Sequence, residues 1–373
     1  EISCSLVGSE MCIRDRAKLM ASNPSERTIC ARLMNDRFAL CLPREEFDEK
    51  RVADSVKELQ REFSGNSFHL HTYMGVYEIR DRDEAVSIMV DKANIAADTI
   101  KNNYDCCVAY YDEHLLEISI EQRRLLGEFE PALQKGEFVM YLQPQVNRDG
   151  AAKGAEALVR WAHPSRGILT PYAFIDILEN AGLIYKLDLY IWEKAAQKLA
   201  EWKEKGYGSY HISVNISTKD FYIIDIYETF TGLINKYGIA ASNLHLEITE
   251  TTLMTDFEKN MNIIHKLQNV GFRVEIDDFG SGYSSLNMLK DISADVLKID
   301  MGFLRKSENE VKGQDILESI ITLAGKIGMD VITEGVETKK QLDMLTMMGC
   351  HEFQGYYFSK PVPVSEFEEK YLV

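Results

Sequence analysis

Residues Phe272 to Leu286, FRVEIDDFGSGYSSL, carry a strand-like alternation that ends on two adjacent carboxylates, Asp277 and Asp278. Phe279, Gly280, Ser281 and Gly282 follow, so the chain turns sharply with little side chain in the way. Two acids at the rim of a strand, above an open turn, suit a divalent cation better than a packed core. Taken alone they equally fit a solvated turn, and other segments have to decide. Glu156, Asn215 and Glu247 stand on the polar faces of separate strand-like segments, mostly near their C-terminal ends. Burying isolated carboxylates is costly unless something compensates, and a shared cation is the simplest compensation. Oxygen donors without His or Cys point to Mg or Mn rather than zinc.

The elements that must position these residues fill the second half of the chain. Strands are expected at Phe138 to Gln143, Ala155 to Trp161, His211 to Ser217, Leu244 to Thr249, Phe272 to Asp277, Val296 to Asp300, Met329 to Thr333 and Phe353 to Phe358. Helix-length segments between them finish on Gly182, Gly206, Gly238, Gly271, Gly328 and Gly349, as helix C-termini do, and Thr170-Pro171 opens one as cap and first residue. Strands alternating with helices over about 250 residues have the size and order of a TIM-like (β/α)8 barrel, an α/β fold. Parallel strands covered on both faces usually read as continuous apolar runs. Here Ile212, Val214 and Ile216 oppose His211, Ser213, Asn215 and Ser217, while Leu244, Leu246 and Ile248 oppose His245, Glu247 and Thr249. The apolar face must meet the helices, which turns the polar face into the barrel.

Composition bounds the alternatives. A chain of 373 residues, 45% hydrophobic and 27% charged, has the composition of a soluble globular protein with room for two domains. Its net charge of -17 argues against a nucleic-acid groove, so an anionic ligand needs metal or a few placed Lys and Arg residues. No apolar run approaches the roughly 20 residues of a membrane span. The 7 Cys lack zinc-type spacing and read as reduced thiols in a cytoplasmic protein; a membrane anchor further upstream stays open. Residues 1-16 lack either period and resemble a translated sequencing-adapter segment; they are expected not to belong to the protein.

Residues 17-121 give a hairpin at Ile29 to Pro43 around Asn35-Asp36, a helix at Glu45 to Phe63, a strand at Phe68 to Val76, a helix at Asp83 to Asn102 and a strand at Cys107 to Tyr111. This order resembles the second half of a GGDEF, or diguanylate cyclase, domain of α+β type, with Met34 to Phe38 standing where that family has its name motif. Met34, Asn35 and Arg37 replace the turn glycines and an acid, one of them with reversed charge, and the front of the domain is missing. A truncated, degenerate remnant without cyclase activity is expected. A charged helical connector, Asp112 to Gly136, carries the domain boundary near Gln122.

Residues 122-373 resemble an EAL domain, the phosphodiesterase that opens cyclic di-GMP to linear pGpG. The resemblance rests on Glu156 to Trp161 (EALVRW), Asn215 within VNIS, LEITET from Leu246, IDDFGSGYSSL from Ile276, LKID from Leu297, TEGVE from Thr333 and QGYYFSKP from Gln354. It implies that Glu156, Asn215, Glu247 and Asp277 hold one Mg or Mn ion, and that Asp277 bridges to a second held with Asp278 and Glu334. The cations would lower the pKa of a shared water and neutralise the phosphate for in-line attack. Lys298 is expected to position that water or the developing charge; otherwise it is a core lysine paired with Asp300 or another acid. Glu250 is expected to steady the loop after Asp277-Asp278, Gln354 to sit behind the metals, and Glu337 near them or in a structural role. Arg160 is expected at a phosphate, with Gln143 and Leu158 at the substrate. The departures Val159, Ser281 and Thr333 lie beside the motifs, not at ligand positions. A homodimer through Gly280 to Leu289 is implied as well. A silent cyclic di-GMP receptor is the alternative, and a different metal-dependent barrel enzyme a third reading.

Overall fold

The computed structural model describes residues 27–34, 37–50, 54, 73–101, 106–279, 292–300 and 310–372. The expected adapter segment, the Asn35-Asp36 turn, most of the Glu45 to Phe63 helix and Gly280 to Leu289 lie outside the described residues. The chain divides into two compact units, Glu1–Arg124 and Leu125–Val373.

In the first unit, β1 (Ile29–Met34) and β2 (Arg37–Cys41) form the expected antiparallel hairpin, Ile29 opposite Cys41. Strands β3 (Met74–Val76) and β4 (Val108–Tyr110) pair in parallel, joined through helix α1 (Val86–Asp98). Gly75 lets α1 lie directly on β3, because a Cβ there would come within 1.8 Å of the Ala93 carbonyl. Helix α2 (Glu113–Lys135) spans the division between the units.

The second unit is an eight-stranded closed barrel wrapped by helices. Its strands are β5 (Phe138–Val146), β6 (Ala152–His163), β8 (His211–Ile216), β9 (Leu244–Thr249), β10 (Val274–Phe279), β11 (Val296–Asp300), β12 (Asp330–Glu334) and β13 (Glu352–Phe353). Strand β5 pairs with both β6 and β13, which closes the ring. Short strands β7 (Gly167–Leu169) and β14 (Val362–Pro363) add to β6 and β5 outside that ring.

Two features differ from an all-parallel barrel with helices at every step. Strand β5 runs against both neighbours, and a tight turn rather than a helix leads from it to β6. The Asn147 side chain accepts from the Asp149 and Ala151 amides, each at 3.0 Å, and Gly150 takes φ +83, so Asn-Arg-Asp-Gly folds the chain straight back. The last strand is also shorter than expected. Gly355 presses on the loop after β12, where a Cβ would meet the Val336 carbonyl oxygen at 2.2 Å, and the chain leaves the ladder there.

The helices follow α3 (Ile175–Ala181), α4 (Ile184–Glu204), α5 (Asp220–Ile223), α6 (Ile226–Tyr237), α7 (Glu250–Thr255), α8 (Phe257–Val270), α9 (Glu310–Lys326), α10 (Lys339–Met347) and α11 (Val364–Tyr371). Each of the glycines expected to end them has positive φ. Thr170-Pro171 opens a single 3-10 turn without a side-chain cap, and α3 begins only at Ile175. The outward faces of the strands are the core: Ile212, Val214, Leu246, Ile248, Val274 and Ile276 are buried against Trp192, Phe230 and Leu267 on the helices. Each such side chain contributes about 1.5–3 kcal/mol by leaving water.

The inward faces are polar and stack in two layers. Glu156, Asn215, Glu247, Asp277 and Lys298 form the upper layer, toward the C-terminal strand ends; earlier on the same strands stand Gly154, His211, Ser213, His245, Glu275 and Val296, His211 in register with Gly154. A barrel interior is filled by such layers of side chains.

Candidate metal centre at the C-terminal rim

The upper layer is organised around Lys298, whose side chain is 0% exposed. Its ammonium lies 2.8 Å from Glu334, 3.0 Å from Glu247, 3.3 Å from Asp277 and 3.5 Å from Glu156, so four strands each send it a carboxylate. Its partners are these acids rather than Asp300. Asn215 donates to Glu156 Oε1 at 3.1 Å while the Trp192 indole holds the Asn215 carbonyl at 2.9 Å. Gln354 donates to Glu156 Oε2 at 2.5 Å and to Gln143 at 3.3 Å. Gln143, directly opposite Glu156 in the β5–β6 register, in turn donates to the Ser359 carbonyl and is buried beside that carboxylate.

One positive charge among four carboxylates leaves the layer anionic. Burial, and next to it the charge of Glu156, push Glu247 well above the ordinary carboxylate range, with Lys298 offsetting only part. Glu334 is pushed up to about 8 by burial and by Asp277 and Glu156, again with partial offset from Lys298. Asp278 is raised by burial and by Asp277. Burial opposes the charge on Lys298, but Glu156, Glu247, Glu334 and Asp277 together hold it well above its usual value.

The donor set fits divalent cations. Both oxygens of Glu247 and Oδ1 of Asp277 are buried and accept no well-formed hydrogen bond among the described residues, although the ammonium faces them as a point charge. Buried carboxylate oxygens in that state are costly, and a hard cation with oxygen ligands relieves the cost. The backbone is shaped for it too. The β10–β11 register shifts between Ile276 and Phe279, and Asp278 takes φ +55 in the left-handed region, which Asp tolerates better than most residues. This bulge lets two successive acids address the rim instead of alternating in and out.

The other expected residues are distributed around that centre. Leu158 and Arg160 continue the inward face of β6 above Glu156; Arg160 donates to the Val159 carbonyl at 2.8 Å and lies 5.5 Å from the Tyr141 ring. Glu250 begins α7 directly after Thr249, which caps the helix through the Thr252 amide. The loop it is expected to steady falls largely outside the described residues. Glu337 is exposed at the start of α10, its amide donating to Gln341 within the capping arrangement of that helix.

Sequence reading passed over Val336. Its amide donates to the Gln354 carbonyl at 3.2 Å and its carbonyl accepts from Tyr357 at 2.9 Å, so the loops after β12 and β13 are zipped together and Gln354 is carried to Glu156. The Gln-Gly pair is the only trace of this in the sequence, since the close approach requires Gly355.

Residues 127–361 match the EAL domain family, and the chain belongs to that family. It is 30% identical over 370 residues to the bifunctional diguanylate cyclase/cyclic di-GMP phosphodiesterase MucR of Pseudomonas aeruginosa, covering 96% of this chain and 53% of that protein. It is 32% identical over 240 residues to the cyclic di-GMP phosphodiesterase PdeR of Escherichia coli K12, covering 64% of this chain and 36% of that one. The chain thus spans about half the length, or less, of these curated relatives. Among solved structures, the PaMucR phosphodiesterase in complex with c-di-GMP superposes with a TM-score of 0.62 at 33% identity, over 65% of this chain and 99% of that one. The EAL enzyme Bd1971 with cAMP and cyclic-di-GMP gives 0.63 at 28% identity, over 76% and 73%.

Proposed function

We propose that the barrel hydrolyses cyclic di-GMP to linear pGpG with the help of two divalent cations, Mg or Mn. The observation that carries this reading is the set of four carboxylates from four strands converging on one ammonium, with oxygens of Glu247 and Asp277 buried without a hydrogen bond among the described residues, at the C-terminal rim where barrel enzymes do chemistry. The names of the MucR and PdeR relatives and of the c-di-GMP complex support the choice of substrate. Glu156, Asn215, Glu247 and Asp277 would hold one cation, and Asp277, Asp278 and Glu334 the other. When bound, the cations supply charge neutralisation at the phosphate and a more acidic water.

This chain's own residues do the rest. Lys298, held charged by its carboxylates, presents a fixed positive charge to the negative charge that develops on phosphorus oxygens. Gln354 and Asn215 fix the Glu156 carboxylate by donating to one oxygen each. Arg160, half-buried above Glu156, orients a phosphate, and Leu158 lies beside it against the substrate.

Incubating the chain with cyclic di-GMP and Mn2+ tests the reading: linear pGpG is the expected product. Binding without turnover would favour a silent receptor, and neither would favour another barrel chemistry. In residues 17–121 we propose a GGDEF remnant without cyclase activity, since Arg37 stands at an acidic position of the motif. We further propose a cytoplasmic location and a homodimer formed by the barrel; among the described residues no helix is long and apolar enough to cross a membrane.

A further inference from the structure

The lower layer of the barrel has a different chemistry, which the rim does not use. His211 begins β8, His245 stands second in β9 and Glu275 second in β10, all pointing inward at the N-terminal end. One ring nitrogen of each His and one oxygen of Glu275 lie within 4.8 Å of one another. The three line a cavity of about 600 Å3 together with Lys153, Tyr210 and Arg273. Glu275 is 0% exposed, and its Oε2 has no hydrogen-bond partner among the described residues. Room for the His211 ring comes from Gly154 on β6, where a Cβ would approach that ring to 2.4 Å.

We infer that His211, His245 and Glu275 bind one borderline divalent transition-metal ion, of the zinc, cobalt or nickel class, at the end of the barrel opposite the acid cluster. Two imidazoles and one carboxylate are the donors such ions prefer, with the cavity leaving a position for water. The nitrogens turned away from the centre are already held. His211 Nε2 lies 2.7 Å from Gln145 Oε1, His245 Nε2 is 3.2 Å from the Ser242 carbonyl, and Ser213 donates to Glu275 Oε1 at 3.2 Å. Ligating histidines are fixed in this way by partners on their other nitrogen.

The His245 ring gives the strongest argument. Both its nitrogens face oxygen acceptors, Nε2 the Ser242 carbonyl and Nδ1 the Glu275 carboxylate at 2.6 Å. A neutral imidazole has one proton and can satisfy only one of them. A metal ion taking the Nδ1 position would leave the Nε2 proton for Ser242 and bring a cation to the buried carboxylate, once Nδ1 and the carboxylate oxygen move apart from 2.6 Å to admit it. The two rings stack at 3.9 Å and 3°. Bonds of about 2.0–2.1 Å around a tetrahedral ion set ligand atoms roughly 3.3 Å apart, so the widest pairs close in while His245 Nδ1 and the Glu275 oxygen beside it part. Metal entry accordingly tilts one ring out of the stack.

Cobalt is the probe. The full chain is dialysed against Co2+ in excess Mg2+, which occupies the rim, and then examined by visible absorption and metal analysis. One Co2+ per chain with d–d bands is expected. His245→Gln should weaken its binding on the order of a hundredfold, and Gly154→Ala, which removes no ligand but crowds His211, at least tenfold. Circular dichroism confirms that both variants fold. A wild-type chain without d–d bands, or one whose bands persist unchanged in a folded His245→Gln variant, would overturn the assignment and leave the proton as the sole occupant. Neither result bears on hydrolysis at the rim, so the two readings fail separately.

Discussion

Glu247 and Glu275 are neighbours in register on β9 and β10, both 0% exposed, yet their carboxyls are driven in opposite directions. Burial and the nearby Glu156 push Glu247 well above the usual range; for Glu275, burial is outweighed by the His245 bond and by the charges of His245 and Lys298, which hold it at about 2. The strand tilt sends one into the upper layer and the other into the lower. The comparison shows that burial alone does not set a carboxylate's chemistry; the company in its layer does. An acid-rich layer calls for hard cations, and an imidazole-rich one for softer ions or a proton.

That contrast can be broken at either end. Glu156→Gln removes a proposed ligand charge while keeping its shape. We expect a loss of about a thousandfold in cyclic di-GMP turnover, roughly 4 kcal/mol of barrier, with the melting curve retained. Near-normal turnover would remove Glu156 from the site. Lys298→Met leaves four carboxylates facing one another. Denaturant unfolding in chelator should show a loss of about 3–5 kcal/mol, and Mn2+ should restore part of it. Equal stability with and without Mn2+ would mean that the acids are not a cation site.

Smaller effects sharpen the comparison. Gln354→Leu unties Glu156 without touching a ligand, so manganese affinity measured by titration should fall roughly 10–100-fold. At the lower layer, burial, and after it the charge of His245, push His211 down to about 3. An unfolded His binds its proton below about pH 6.5, whereas this one stays neutral until about pH 3. Stability in chelator is therefore lost as pH falls from 6.5 toward 3, on the order of 1 kcal/mol per pH unit. His211→Gln should flatten that acid limb in melts followed across the pH range, and an unchanged slope would show that the loss arises elsewhere.

Much of this was legible in the residues. The alternation of Leu244, Leu246 and Ile248 with His245, Glu247 and Thr249 gave the inward face of a barrel strand, because a period of two has only one solution once helices cover the outside. The acids and Lys298 were found by the same logic, with their proposed roles supplied by family resemblance. The reversal of β5 escaped notice, since pairing direction is fixed by a four-residue turn whose signal, Asn147 to Gly150, is short. The left-handed Asp278 was hidden as well, because nothing in an Asp-Asp pair announces a bulge. His211 and His245 were read as inward-facing but not as a group with Glu275. Alternation tells in from out; it does not tell which layer a residue joins, as that depends on the tilt of the closed barrel.

The claim on which the rest depends is that the acids at the C-terminal rim converge on hard cations. Crystals of the chain grown with Mn2+ and cyclic di-GMP, measured at a wavelength where manganese scatters anomalously, test it directly. We expect manganese peaks within coordination distance, about 2.1 Å for a hard cation, of the Glu247 and Asp277 carboxylates, with one peak also reached by Glu156 and Asn215. A map whose manganese lies away from these four residues, or that shows none while the dinucleotide is bound, would contradict the account.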